Sequence, residues 1–241
     1  MTTVTLHHQV EHFFSQGSAG YDAEILQIVP LYPQLFEELL ESCTFPTSSL
    51  DKEAPLNILE LGCGTGNLSL LLSQVYPNAQ LTVVDASAEM VALAEAKISQ
   101  PQRVTPVVSD FRMLSIAPNS VDLVISSLAL HHLPDEDKPG FYQQMLGWLK
   151  PGGLFRCADQ AILNPRTEGL DYQLQRWETK ALANGADPAV LAHWKTHLLT
   201  QDHYATVPEH LSWLSDAGFT DIDCYWRVAF WAVFGGAKGP Y

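Results

Sequence analysis

The sequence predicts an α/β fold, a doubly wound and mostly parallel sheet with helices on both faces. Three observations carry this. Short apolar, β-branched runs alternate with helical periodicity from Leu56 onward. A glycine-rich turn stands between the first run and the first helix, and an acidic residue, Asp85, ends the second run.

Ahead of that core, Ile25, Ile28 and Val29, then Leu35, Phe36, Leu39 and Leu40, recur at helical spacing with Pro30 and Pro33 between them. Two short helices are expected. Residues 44–55, TFPTSSLDKEAP, read as a surface loop. LNILEL precedes a helix through Leu68 and Val75, and LTVVD precedes one opened by Ser87 and running through Met90, Leu93 and Ala94. VTPVV, VDLVIS and GLFRCAD continue the series, the last after a KPGG turn at 150–153. Such runs suit parallel strands covered on both faces.

After residue 160 the strand pattern stops. Two helices are predicted, opening at Asn164-Pro165 and Asp187-Pro188, with Asn184-Gly185 closing the first. Thr206 and Glu209 offer a capping box for a further helix that ends at Gly218. The final apolar run, 219–234, is long enough for two strands or one bent strand, with a turn around Trp226 and Arg227. The expected organisation is a single domain: a helical leader (1–55), a core (56–160), a helical insertion (161–205) and a closing helix with strands (206–241).

Composition narrows the function. With 46% hydrophobic and 17% charged residues over 241 positions, the chain is globular and large enough to bury a core. A formal charge of -14 argues against nucleic acid as partner, because affinity for a phosphate backbone needs Lys and Arg. Cys43, Cys63, Cys157 and Cys224 lie far apart, giving neither a zinc motif nor a disulfide framework. With no export signal and no apolar span of ~20 residues, a cytoplasmic protein without membrane attachment is expected.

The most informative segment is Glu60-Leu-Gly-Cys-Gly-Thr-Gly66, directly after a strand and before a helix. Glycines there let a ligand approach main-chain N–H groups. Nineteen residues after Gly66, the Asp85 carboxylate is placed to accept from both hydroxyls of a ribose. A dinucleotide fingerprint needs its third glycine at the sixth place, where this chain has Asn67. The turn therefore departs from NAD binding.

From about Leu56 to Asp159 the chain resembles the class I S-adenosylmethionine-dependent methyltransferases of the small-molecule type. That resemblance implies a Rossmann-like, seven-stranded sheet with S-adenosyl-L-methionine as cofactor. By the same resemblance, Glu60, Gly62, Cys63 and Gly64 would line the methionyl part and Asp85 with Ala86 would hold the ribose. Asp110 and Phe111 would meet the adenine, Leu128 would lie under the cofactor, and Tyr21 would reach over from the leader.

The partner implied is a small-molecule methyl acceptor, taken on O, N or S. His131 and His132, just past the fourth strand, stand where a general base could reach the methyl group, or where they only shape the loop. No carboxylate or cysteine has metal-ligand spacing with them, so no metal is expected. His7, His8 and His12 read as solvated. Trp177 and Trp194 in the insertion, and Trp226 and Arg227 in the last strands, are candidate acceptor contacts. The competing readings are a carboxy-S-adenosylmethionine synthase, which carries a different glycine turn, and a cofactor-binding protein without transfer activity.

Overall fold

The computed structural model describes residues 20–44, 50–161 and 169–240. Seven strands form one sheet in the order β3-β2-β1-β4-β5-β7-β6. β1 (Asn57–Leu61), β2 (Gln80–Asp85), β3 (Val104–Val108), β4 (Val121–Ser127) and β5 (Leu149–Gln160) pair in parallel. β7 (Trp231–Ala237) runs antiparallel between β5 and β6 (Thr220–Val228). Chain order reverses between β1 and β4, the topological switch point where α/β sheets open a crevice at their carboxyl ends.

Alternation along the strands explains the two layers. Ile58, Val83, Ile125 and Leu154 point to one face and pack with the helical segment α1 (20–28), α2 (Tyr32–Ser42), α3 (Asn67–Val75) and α4 (Ala88–Lys97). Leu59, Leu61, Val84, Val124 and Phe155 point to the other, against α5 (Lys138–Trp148) and α8 (Val207–Ala217). Both faces are apolar, which is why the strands read as near-continuous hydrophobic runs.

Several elements form as the sequence predicts. Ser87 caps α4, its hydroxyl accepting from the Met90 N–H at 3.3 Å. Asp187 caps α7 (Pro188–Gln201) by accepting from the Ala189 N–H at 2.7 Å. The Thr206–Glu209 capping box opens α8, and Gly218 closes it at φ 101°. α6 (Gly169–Ala183) ends ahead of Gly185, whereas its predicted start at Asn164-Pro165 lies outside the described residues, as do His7, His8 and His12.

Three expectations need correction. The turn between the last strands falls at Ala229-Phe230, not at Trp226-Arg227, which pair inside β6 with Val233 and Ala232. KPGG is an irregular stretch within β5, where the register with β4 shifts and Gly152 takes φ 78°, instead of a separate turn. α5 lies in a segment that the pattern reading leaves unassigned. Its sequence KPGFYQQMLGW carries Pro and Gly in the first turn, which hides its periodicity.

Buried Arg156 joins three elements on the α2 face. Its guanidinium donates to the carbonyls of Ser42 (3.0 Å), Phe155 (2.9 Å) and Gly236 (2.9 Å), and it stacks 4.5 Å from the Tyr225 ring. The leader is tied to the insertion by side chains. Trp177 Nε1 donates to the Ile28 carbonyl at 2.5 Å, Trp194 Nε1 to the Glu24 carboxylate at 2.8 Å, and Asn184 to the Leu26 carbonyl at 2.7 Å.

Candidate active site

A cleft of about 1060 Å³, measured with the solvent at its mouth, opens at the carboxyl ends of β1, β2 and β4. All ten residues assigned to the cofactor from the sequence border it: Tyr21, Glu60, Gly62, Cys63, Gly64, Asp85, Ala86, Asp110, Phe111 and Leu128. His132 borders it too, and His131 does not.

The glycine turn has the backbone its sequence requires. Gly64 has φ 51°, a left-handed conformation, and a Cβ built there would meet nothing within 4 Å, so its side-chain direction faces open space. Gly62 is closed in by contrast: its Cβ would lie 2.3 Å from that of Ala129, so the turn and the loop after β4 are in direct contact. Asp85 accepts from the N–H of Gly64 and from the N–H of Ser87, each at 2.9 Å. Those bonds fix the carboxylate beside the open face of Gly64.

Glu60 is buried at the cleft floor and accepts from the Ser69 hydroxyl at 2.5 Å. Burial pushes its carboxyl up to about 8, with Asp85 adding to the rise. A carboxyl that holds its proton in the fold and loses it near the ordinary 4.5 when unfolded makes stability fall as pH rises between the two values, by up to about 1.4 kcal/mol per pH unit. Glu60→Gln is expected to flatten the ligand-free stability profile between pH 5 and 8. A thermal melt series in which wild type and variant keep the same slope would contradict the assignment.

Asp110 is already occupied. It caps a short 3-10 turn, and both carboxylate oxygens take hydrogen bonds from the Arg112 guanidinium, the shortest at 2.6 Å. Sequence reasoning missed that partner, and it also missed Asp22. Asp22 accepts from Thr65 (2.5 Å), Asn67 (3.0 Å) and Lys97 (2.6 Å), which fastens α1 to the glycine turn. Tyr21, its neighbour, reaches the cleft from that anchorage.

A smaller cavity of about 400 Å³ shares Tyr21 and Leu128 with the cleft and extends under α6 and α7, where Trp177 and Trp194 line it together with His131 and His197. Trp226 and Arg227 line neither space. They lie on β6, the outermost strand, where Arg227 donates to the Ala161 carbonyl at 3.3 Å.

Behind the cleft His131 is buried and oriented. Its Nδ1 lies 2.5 Å from Asp159, whose carboxylate also accepts the His131 and Gln160 N–H groups. Burial alone would lower the His131 pKa, but the charges of Asp159 and Asp202 outweigh it and hold it above the ordinary value. Burial pushes His197 down to about 3. The absence of metal-ligand spacing around the two histidines is corrected in space: His131, His132 and Asp202 bring one potential ligand atom each to within 4.8 Å of one another. Asp202 is 70 residues from His132, beyond any short motif.

Residues 58–153 match the family described as "Methyltransferase domain". A malonyl-[acyl-carrier protein] O-methyltransferase of Xylella fastidiosa is 27% identical over 210 residues, 85% of this chain and 68% of the relative. The chain carries an S-adenosylmethionine-dependent methyltransferase domain. Among solved structures the DhpI–SAH complex superposes with TM-score 0.65 at 18% identity, covering 98% of each chain. The Haemonchus contortus phosphoethanolamine N-methyltransferase 2 in complex with S-adenosyl-L-methionine gives 0.60 at 15% identity, over 84% of this chain and 52% of that one. These two likenesses are of fold. Within the methyltransferase the matched segment runs from β1 into β5 and contains the glycine turn, Asp85 and Asp110.

Proposed function

We propose that S-adenosylmethionine occupies the cleft and that the small acceptor occupies the cavity under α6 and α7, meeting it at Tyr21 and Leu128. The observation that carries this reading is the Asp85 carboxylate held at the open face of Gly64. The cofactor supplies a methyl group activated by its sulfonium. Asp85 binds the ribose hydroxyls, the Gly64 backbone admits the methionyl part, and Phe111 packs against the base.

The chain's own contribution to transfer is alignment and exclusion of water. His131, with one ring nitrogen on Asp159 and a raised pKa, is a positioning residue that fixes the loop after β4. His132, at the cleft wall, is the group able to face the acceptor. α6 and α7, joined to α1 through Trp177 and Trp194, form the lid over the acceptor within one domain. Four free cysteines, three of them buried, suit a reducing cytoplasm, and among the described residues no helix is long and apolar enough to cross a membrane.

Ligand linkage tests the cofactor assignment without knowledge of the acceptor. S-adenosylhomocysteine at ~100 times its Kd contributes about 2.7 kcal/mol, a melting shift of roughly 5–11 °C for a chain of this size. No shift at millimolar ligand would sink the reading. The Xylella fastidiosa relative favours a second acceptor class, a carboxyl group on a carrier-linked acyl chain. Incubation with methyl-labelled cofactor and either a metabolite extract or a malonyl thioester separates the two, by whether label enters free metabolites or the thioester.

A further inference from the structure

We propose that His131, His132 and Asp202, with His197 beside them, form a binding site for one divalent transition-metal ion at the wall of the smaller cavity. Asp202 Oδ1 lies 3.7 Å from His131 Nε2, 3.3 Å from His132 Nδ1 and 3.4 Å from His197 Nε2. Four ligand atoms placed tetrahedrally at ~2.0–2.1 Å from a zinc ion stand about 3.3 Å from one another, so each separation from Asp202 is near an edge of such a polyhedron. The ligand atoms of His131, His132 and Asp202 all lie within 4.8 Å of one another, and closure of the two imidazoles around an ion completes the set.

The surroundings are those of a ligand set. The Asp202 side chain is fully buried, and its second oxygen accepts from Gln160 Nε2 at 3.2 Å. Asp159 holds the far nitrogen of the His131 ring, the carboxylate–imidazole support common behind metal-bound histidines. The His203 N–H donates to the His131 carbonyl at 2.7 Å, which pins the end of α7 against the loop after β4. Imidazoles with one carboxylate select Zn2+, Co2+ or Ni2+ over Mg2+ or Ca2+. An ion there clasps α7 to the core, and this holds whether or not the cavity is the acceptor pocket.

The test uses the full chain without an affinity tag, stripped with chelator and titrated with Co2+ and Zn2+, read by visible absorption and by metal content after dialysis. One equivalent is expected, with at least tenfold weaker binding in His132→Ala and in Asp202→Asn. His193→Ala, at an exposed position on α7, and a triple His7, His8 and His12→Ala variant should keep it. S-adenosylhomocysteine binding by Asp202→Asn, a residue outside the cofactor cleft, separates loss of the metal site from loss of the fold. Absence of saturable binding in the wild type at micromolar metal overturns the proposal, as does a site that disappears with the triple variant and survives His132→Ala.

Discussion

Gly64→Val is expected to leave a folded protein that no longer binds S-adenosylhomocysteine. At φ 51° a branched side chain is strained, at a cost of about 1–2 kcal/mol, which a chain of this size tolerates. Nothing in the protein lies within 4 Å of the new Cβ, so the added methyl groups project into the cleft and clash with the ligand instead of the fold. Affinity should fall by about 100-fold or more, the upper part of what overpacking by ~1–3 kcal/mol gives, because the branched side chain occludes the ligand. Asp85→Ala should follow in the same direction by about 30- to 150-fold, the loss of ~2–3 kcal/mol at a charge-assisted acceptor. Isothermal titration reads both. Wild-type affinity in Gly64→Val would place the cofactor elsewhere.

Arg156→Met should produce the largest loss of stability. The substitution withdraws a charged donor from the carbonyls of Ser42, Phe155 and Gly236 in a site closed to water. Hydrogen bonds to charged groups are worth ~1.5–3 kcal/mol each, and their buried partners are costly to leave unmet. Since contributions at one site do not sum, about 3–5 kcal/mol is expected, a large share of the ~5–15 kcal/mol available to a domain. Urea unfolding should show the midpoint move with an unchanged slope. A change under ~1 kcal/mol would mean that the three carbonyls find other donors and that α2 is held by packing alone.

The parallel half of the sheet was legible because each strand is buried on both faces and each following helix is punctuated by a cap or a glycine. Ser87, Asp187 and the Thr206–Glu209 pair act locally, so their roles could be read without knowing the fold. The position of the β6–β7 turn was not legible, because residues 228–234, VAFWAVF, are apolar throughout. Ala229-Phe230 contains neither Gly, Pro, Asn nor Asp to mark it, although Ala229 has φ 54°. The residues that line the cleft were legible for the same local reason: turn, strand end and loop follow one another at short spacing. Asp22 and Asp202 were not. Each acts on residues tens of positions away, across contacts that only the folded sheet creates. Trp226 and Arg227 were drawn in by composition alone, and β6 carries them to the outer edge.

The docking of α1 has a consequence for how the methyltransferase is made. Glu24, Leu26 and Ile28 emerge from the ribosome early, yet the side chains they meet are Trp194, Asn184 and Trp177, separated from them by 170, 158 and 149 positions. During synthesis the leader therefore has no seat of its own on the insertion until most of the chain has been translated, and contacts of such long loop closure form late. β1 to β4 can assemble while the leader waits, tied to the glycine turn through Asp22. Tyr21 rides on that same segment, so the cleft gains this wall only after α6 and α7 have been translated. Nascent chains arrested before residue 177 should accordingly own a sheet and a glycine turn but lack the contacts from Trp177 and Trp194 that seat α1.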